Sequence, residues 1–241
     1  TMIGCVLQIS PDGKVQKWFD VPVNPVTGQA RAMGVEFGPE GDLFLVDNPG
    51  WTGIDELQDT GRILRLKVSK DGVVKCTVLA EGMEHPNGLR VRDGFVYVTQ
   101  SSMSRQETES GKLMSCVYRF PADAEHIRCT NTLADSYILQ TYITENPSCQ
   151  YGVDGIAFDE QGRLYVGNFG DGAVYRTTLS PQGEVVEHVL WAKDPQQLQS
   201  TDGMTFDDQG NLYIADFSAN AVAKVTPDGK VERIAQSPDC D

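Results

Sequence analysis

Four short stretches place a donor side chain directly before a glycine and an alternating strand: "AMGVEF", "HPNGLRV", "VDGIAF" and "TDGMTF". The donor positions are Met33, Asn87, Asp154 and Asp202. Three of the four carry side-chain oxygens. Carboxylate and amide oxygens converging on one point suit a hard cation such as Ca²⁺ or Mg²⁺. Two carboxylates there would repel each other unless a cation or a proton sat between them. Taken singly, Asn-Gly and Asp-Gly are ordinary turn dipeptides. The same slot in successive repeats reads as a shared site, with Asn87 and Asp154 as ligands and Asp154 or Asp202 as the base. A second set of polar residues closes the strand that follows: Asp47 or Asn48, Gln100, Asn168 and Asp216. These would be ligands, partners of ligands, or groups that satisfy backbone at the strand ends. His85 lies two residues before Asn87, close enough in sequence to act as a general base; it reads equally as a packed loop residue. His126 and His188 fall on outer strands and receive no role.

The elements that must position these residues form a repeat. "MGVEFGPEGDLFLVDN" (33–48), "NGLRVRDGFVYVTQS" (87–101), "DGIAFDEQGRLYVGNF" (154–169) and "DGMTFDDQGNLYIADF" (202–217) align. Each opens with a residue plus Gly, runs through a short strand, turns at "PEGD", "RDG", "EQGR" or "DQGN", and returns on a more apolar strand. Gly41, Gly94, Gly162 and Gly210 fit positive-φ turn positions. A third strand follows in each unit ("GRILRLKV", "LMSCVYRF", "GAVYRTTL", "NAVAKVTP"), then a fourth ("GVVKCTVLA", "HIRCTNTL", "GEVVEHVLWA", "GKVERIA"). Alternation with period two between close turns is strand chemistry.

Four antiparallel strands repeated radially predict an all-β fold, a β-propeller of four-stranded blades. The spacings between equivalent glycines are 54, 67 and 48 residues, near the roughly 40–50 of known blade repeats plus insertions. The long spacing holds two extra segments, 101–113 and 136–151. Loops 48–60 and 101–113 would overhang one face and set substrate access. Before residue 33 only a half blade is visible, over 1–24. The chain therefore reads as one propeller domain, 1–241, with blades starting near 33, 87, 154 and 202. A half blade left open exposes a sheet edge, so the expectation is that sequence is missing at one or both ends.

Composition narrows the function. Hydrophobic residues are 40% and charged residues 22%, a globular balance, and the net charge is −14. That disfavours nucleic acid and anionic membrane surfaces, which demand a cationic footprint. No apolar run approaches the roughly 20 residues of a membrane helix. The chain starts "TMIGCVLQIS", without the basic start and apolar core of a signal peptide; a signal already cleaved stays open, and so does the compartment. The partner that remains is a small-molecule substrate. Of the six cysteines none forms a CxxC pair, against a thiolate zinc site. Cys116 and Cys129 flank "VYRFPADAEHIR", which reads as a hairpin that could bring them together, and Cys5 and Cys240 could tie the termini; buried free thiols are the alternative. No GxSxG, HExxH or P-loop occurs.

"HPNGL" and the "DG(I/M)xFDxxGxLY(V/I)" stretches resemble the family of senescence marker protein, gluconolactonase and luciferin-regenerating enzyme, with the related diisopropyl fluorophosphatase. The resemblance runs over roughly residues 30–235 and is strongest in 85–100 and 152–217. It implies six blades, of which this chain covers four and a half, and one divalent cation: Ca²⁺ first, with Mg²⁺ or Zn²⁺ as alternatives. It also implies hydrolysis of a lactone or an organophosphate ester. The family holds its metal with a Glu, two Asn and an Asp. Asn87 matches the Asn of its PNG motif and Asp154 the Asp of its DG motif. The other Asn falls at or near Met33, where a thioether is a poor partner for Ca²⁺. The Glu belongs to a blade outside this chain. Asp202, Asn48 or Asn168 would then complete the set. The other reading is a propeller binding module without catalysis.

Overall fold

The computed structural model describes residues 4–106, 108 and 111–237. Strands dominate it, and the only helical pieces among the described residues are three short 3-10 turns. Strands β1 (Cys5–Ile9) and β2 (Val15–Asp20) pair antiparallel as a two-stranded sheet, the expected half unit. Next come β3 (Ala32–Phe37), β4 (Leu43–Asp47), β5 (Gly61–Ser69) and β6 (Gly72–Met83), an antiparallel meander. Phe19 and Val21 pack with Leu43, Leu45, Leu64 and Leu66 in one buried cluster, so the half sheet is anchored on this meander.

The third sheet begins with β7 (Pro86–Arg92), β8 (Phe95–Gln100) and β9 (Leu113–Pro121). Here the structure corrects the sequence reading. The "HIRCTNTL" segment contributes only β10 (Ile127–Arg128), and this strand runs parallel to β6 of the preceding sheet. The His126 and Cys129 amides donate to the Val78 and Glu81 carbonyls, both at 2.9 Å. The fourth strand of the third sheet is instead β11 (Ile138–Thr144), from the segment 136–151 that reads as an insertion. Its residues 138–144 pair with 113–118 of β9 and bury Tyr142 and Thr144. Residues 116–129 are therefore not a hairpin, and Cys116 and Cys129 are free thiols, as are Cys5, Cys76 and Cys149. Burial pushes the Cys129 thiol up to about 12. Cys240, and with it the Cys5–Cys240 pairing, lies outside the described residues.

Two further meanders follow: β12 (Val153–Phe158), β13 (Leu164–Asn168), β14 (Ala173–Leu179) and β15 (Val185–Lys193), then β16 (Met204–Phe206), β17 (Leu212–Asp216), β18 (Ala221–Val225) and β19 (Val231–Gln236). Ala157, Tyr165, Val174, Ala192 and Leu198 share a buried cluster with Met204, Leu212, Ile214 and Ala223. That cluster follows from the alternating pattern, which turns every second residue to one face. The turn glycines are as expected: Gly41, Gly94, Gly162 and Gly210 have φ of 83°, 78°, 79° and 78°.

The chain divides into two compact units. One holds the residues up to Tyr97 with Arg119–Asp135, the other Val98–Tyr118 with the residues from Ser136 on. The dividing line cuts β8 and β9 along their length. Among the described residues, no helix is long and apolar enough to cross a membrane.

Candidate functional site

The donor-Gly steps are not turns. Gly34, Gly155 and Gly203 do not take a positive φ. In the second unit, a Cβ added to Gly155 would stand 2.1 Å from the Asp202 carbonyl oxygen and 2.7 Å from the Met204 side chain. In the first unit, a Cβ on Gly34 would stand 2.6 Å from the Asn87 carbonyl oxygen and 2.8 Å from the Leu89 nitrogen. In both places glycine lets the first strand of one repeat press its backbone onto that of the next. Met33, Asn87 and Asp154 are thus carried by first strands, and Asp202 stands two residues ahead of one; β3 touches β7, and β12 touches β16 and the residues just before it.

Asp154 is the most constrained of the four. It is 6% exposed, at a register shift between Val153 and Ile156 in β12. The Ser101 hydroxyl donates to its carboxylate, and the Thr99 hydroxyl donates to its backbone carbonyl at 2.7 Å. Thr99 and Ser101 lie at the end of β8, and sequence reasoning passed over both. Ser101 aligns with Asn48, Phe169 and Phe217, so it breaks an otherwise apolar or amide position; that was the available signal. Asp202 is half-buried. Its amide donates to Ala215 at 2.9 Å, and burial raises its carboxyl above the usual range, opposed in part by a hydrogen bond from the Gly203 amide.

In the first unit Asn87 and Met33 are half-buried on β7 and β3. His85 is buried, and loss of solvation pulls its pKa down to about 4 against the opposing charge of Glu84, so the ring is neutral near pH 7. The Glu84 amide is tied to the Asn131 side-chain oxygen at 3.1 Å, which fastens the chain just ahead of "HPNGL". Asn48 is fully buried, and neither atom of its amide has a hydrogen-bond partner.

The residues that end each second strand mostly hold backbone. Asp47 accepts the Arg31 amide at 2.5 Å and pairs with Arg62 at 2.7 Å, both partners being buried. Asn168 accepts the Thr144 hydroxyl at 3.1 Å and donates to the Ile143 carbonyl at 3.2 Å. Asp216 accepts the amides of Gln199 and Ser200, each at 2.9 Å. Gln100 is fully buried at the end of β8. These bonds meet the demand that buried backbone groups find partners.

Solved structures share this arrangement of strands. The chain aligns over 97% of its length with a gluconolactonase from Xanthomonas campestris (TM-score 0.61, 20% identity, 69% of that chain). It aligns over 98% with virginiamycin B lyase from Staphylococcus aureus (TM-score 0.57, 15% identity). It aligns over 88% with luciferin-regenerating enzyme (TM-score 0.52, 18% identity, 63% of that chain). It spans 64% of the lyase's length, just under two thirds. The fold therefore resembles that of gluconolactonases and luciferin-regenerating enzyme, as the motifs implied. No family model and no curated protein matches the sequence.

A hard cation fits the donors in kind. The first unit offers the amide oxygens of Asn87 and Asn48 and the second the carboxylates of Asp154 and Asp202, oxygen types that Ca²⁺ accepts. Asn48 adds a physical reason: a buried amide left unpaired costs about 1–3 kcal/mol, which a ligand would relieve. Among the described residues, no three His, Cys, Asp or Glu side chains come together as a metal-holding group.

Proposed function

We propose that the chain is the larger part of a six-bladed β-propeller that hydrolyses a lactone or related ester with the aid of one divalent cation, Ca²⁺ by donor type. The observation that carries the reading is Asp154, a buried carboxylate oriented by Ser101 on a strand whose glycine is pressed onto Asp202. Neighbours in fold that are named gluconolactonase support it. Asn87 and Asp154 would hold the cation, the pairing of the two resting on repeat equivalence. A bound divalent cation supplies Lewis-acid polarisation of a carbonyl oxygen. The chain's own residues do the rest. Ser101 holds the Asp154 carboxylate in one orientation. Asp202, whose proton affinity is raised by burial, is the group suited to take up and return a proton. His85 stays neutral and adds no charge. The buried strand β12 keeps bulk water away from Asp154.

Met33 favours a second reading, a binding module without catalysis, because a thioether replaces an oxygen at one donor position. Metal analysis by mass spectrometry, after dialysis into metal-free buffer, separates the two. About one cation per chain, reduced in Asp154→Asn, supports the hydrolase. Less than about 0.2 per chain, a threshold allowing for tight sites, sinks it.

A further inference from the structure

We propose that a groove in the second unit, between the turns 159–162 and 207–210, binds a small organic cation through a quaternary ammonium head. The proposal is independent of the hydrolase reading. These turns lie at the opposite end of their strands from Asp154 and Asp202, so the groove is not part of the site described above.

The groove has a volume of about 220 Å³, below the roughly 300–1,000 Å³ of pockets that take a whole drug-sized ligand. It suits one head group. Its floor is aromatic. Tyr165 is buried, and Trp191 and Phe206 stand edge-on to it, at 4.8 and 4.9 Å between ring centres and 77° and 71° between planes. Trp191 and Phe206 remain partly exposed to the groove. Its rim is acidic: Asp159, Glu160, Asp207 and Asp208 line it, against Arg163 as the one cation among the lining residues. Arg163 is engaged already, paired with Asp159 at 2.6 Å. The rim thus keeps a net charge of −3 over an aromatic floor, which is the electrostatic demand of a cation–π site.

The type of cation follows from the lone pairs. Both oxygens of Asp159 take Arg163 donors, from its amide at 2.8 Å and its Nε at 2.6 Å. Asp207 takes the amides of Gln209 and Asn211 and the Asn211 side chain, at 3.0, 2.8 and 2.8 Å. These two carboxylates supply field more readily than further hydrogen-bond acceptors. A diffuse cation without N–H groups loses nothing by that, whereas a primary ammonium would.

The first unit holds the equivalent groove and shows how it is satisfied there. Gly38, Asp42 and Phe44 of one repeat face Val91 and Gly94 of the next across about 280 Å³. Glu40, Asp42 and Asp123 make it acidic, and the chain's own Arg65 lines it, donating to the Ala122 carbonyl at 3.0 Å and lying 3.5 Å from Asp42. In the second unit the residue aligned with Arg65 is Arg176, which does not line the groove and pairs with Glu187 at 3.2 Å. Each groove carries one arginine paired with one of its acids, Arg65 with Asp42 and Arg163 with Asp159; the second adds a fourth carboxylate and the Trp191 ring.

The test is titration of the full chain with choline chloride at constant ionic strength, read by calorimetry and by saturation transfer to the choline methyl protons. The expected result is saturable binding with a dissociation constant on the order of 1 mM. The neutral isostere 3,3-dimethylbutan-1-ol should bind at least about tenfold more weakly. Trp191→Leu should abolish binding. Because Trp191 also packs on the core, the exposed double change Glu160→Gln/Asp208→Asn serves as the second variant and should weaken choline at least about threefold. No saturation by choline, equal binding of the neutral isostere, or choline binding unchanged in the acid-to-amide variant overturns the proposal. A trimethyl-lysine peptide binding more than about tenfold tighter than choline would overturn the small-molecule assignment in favour of a protein side chain.

Discussion

The first and second units solve one packing problem in the same way and then diverge in side chains. Gly34 lies against Asn87 and Leu89 as Gly155 lies against Asp202 and Met204. Around this shared backbone contact, the first unit has a thioether, an amide and a groove lined by Arg65. The second has two carboxylates and a groove lined by Trp191. Backbone approach is dictated by the repeat, because any side chain at the glycine would collide with main-chain atoms that cannot swing away. Side chains on either side of that contact are free to vary, so chemistry collects there.

The largest expected effects break the shared contact. Gly155→Ala should lose about 3 kcal/mol of stability and Gly34→Ala about 2 kcal/mol, since overpacking against backbone has no cheap relaxation. Gly203→Ala is the control: it has open space within 4 Å and should stay within about 0.5 kcal/mol. Denaturant melts of the three variants check the order, and equal losses at all three positions would remove the argument.

A smaller effect tests the difference in charge. Asp154→Asn should lower any lactone hydrolysis at least about tenfold, roughly 1.4 kcal/mol of barrier, with the melting midpoint little changed. Asn87→Asp, which gives the first unit the second unit's donor, should keep bound metal. Unchanged turnover in Asp154→Asn would mean that the base or ligand has been misplaced.

Next comes Arg65→Met, expected to cost about 1 kcal/mol for the hydrogen bond to Ala122. The same change at Arg176, whose Glu187 partner is exposed, should cost less than about 0.5 kcal/mol. Indistinguishable melts would show that the first groove does not depend on its internal cation.

The smallest effect concerns pH. Where the first unit pairs Leu66 with Cys76 across β5 and β6, the second pairs Thr177 with His188, whose ring stacks on Tyr175 at 5.3 Å. Burial holds the His188 pKa below 6.5. The folded state therefore binds the proton less readily than the unfolded chain. Its contribution is present above pH 6.5 and is lost as pH falls through the lowered value. His188→Leu should flatten that part of the stability–pH curve, and an identical curve would show that His188 titrates as in the unfolded chain.

Much of this was legible beforehand. Turn glycines and alternation located the half unit and nearly every strand, because strand period and positive-φ turns are local properties. The fourth strand of the third sheet was not legible. "HIRCTNTL" and "SYILQTYIT" both alternate, and the choice between them lies with β6 and β9, distant in sequence. Asp154 and Asp202 stood out by repeat equivalence, whereas Ser101 and Thr99 did not, since a hydroxyl at a strand end carries no signal until its acceptor is in place. The aromatic floor of the second groove was equally hidden, because Tyr165, Trp191 and Phe206 come from three strands and two repeats.

What the amino-acid order determined alone is the four-strand repeat, the turns, the donor-Gly steps and the acidity of the chain. Those follow from steric limits on φ and ψ and from side-chain period, which act over a few residues. The tertiary structure decided why glycine follows Met33 and Asp154, which strand completes the third sheet, and that Asp154 is held by a serine. These are contacts between segments far apart in the chain, and only packing brings such atoms within reach of one another.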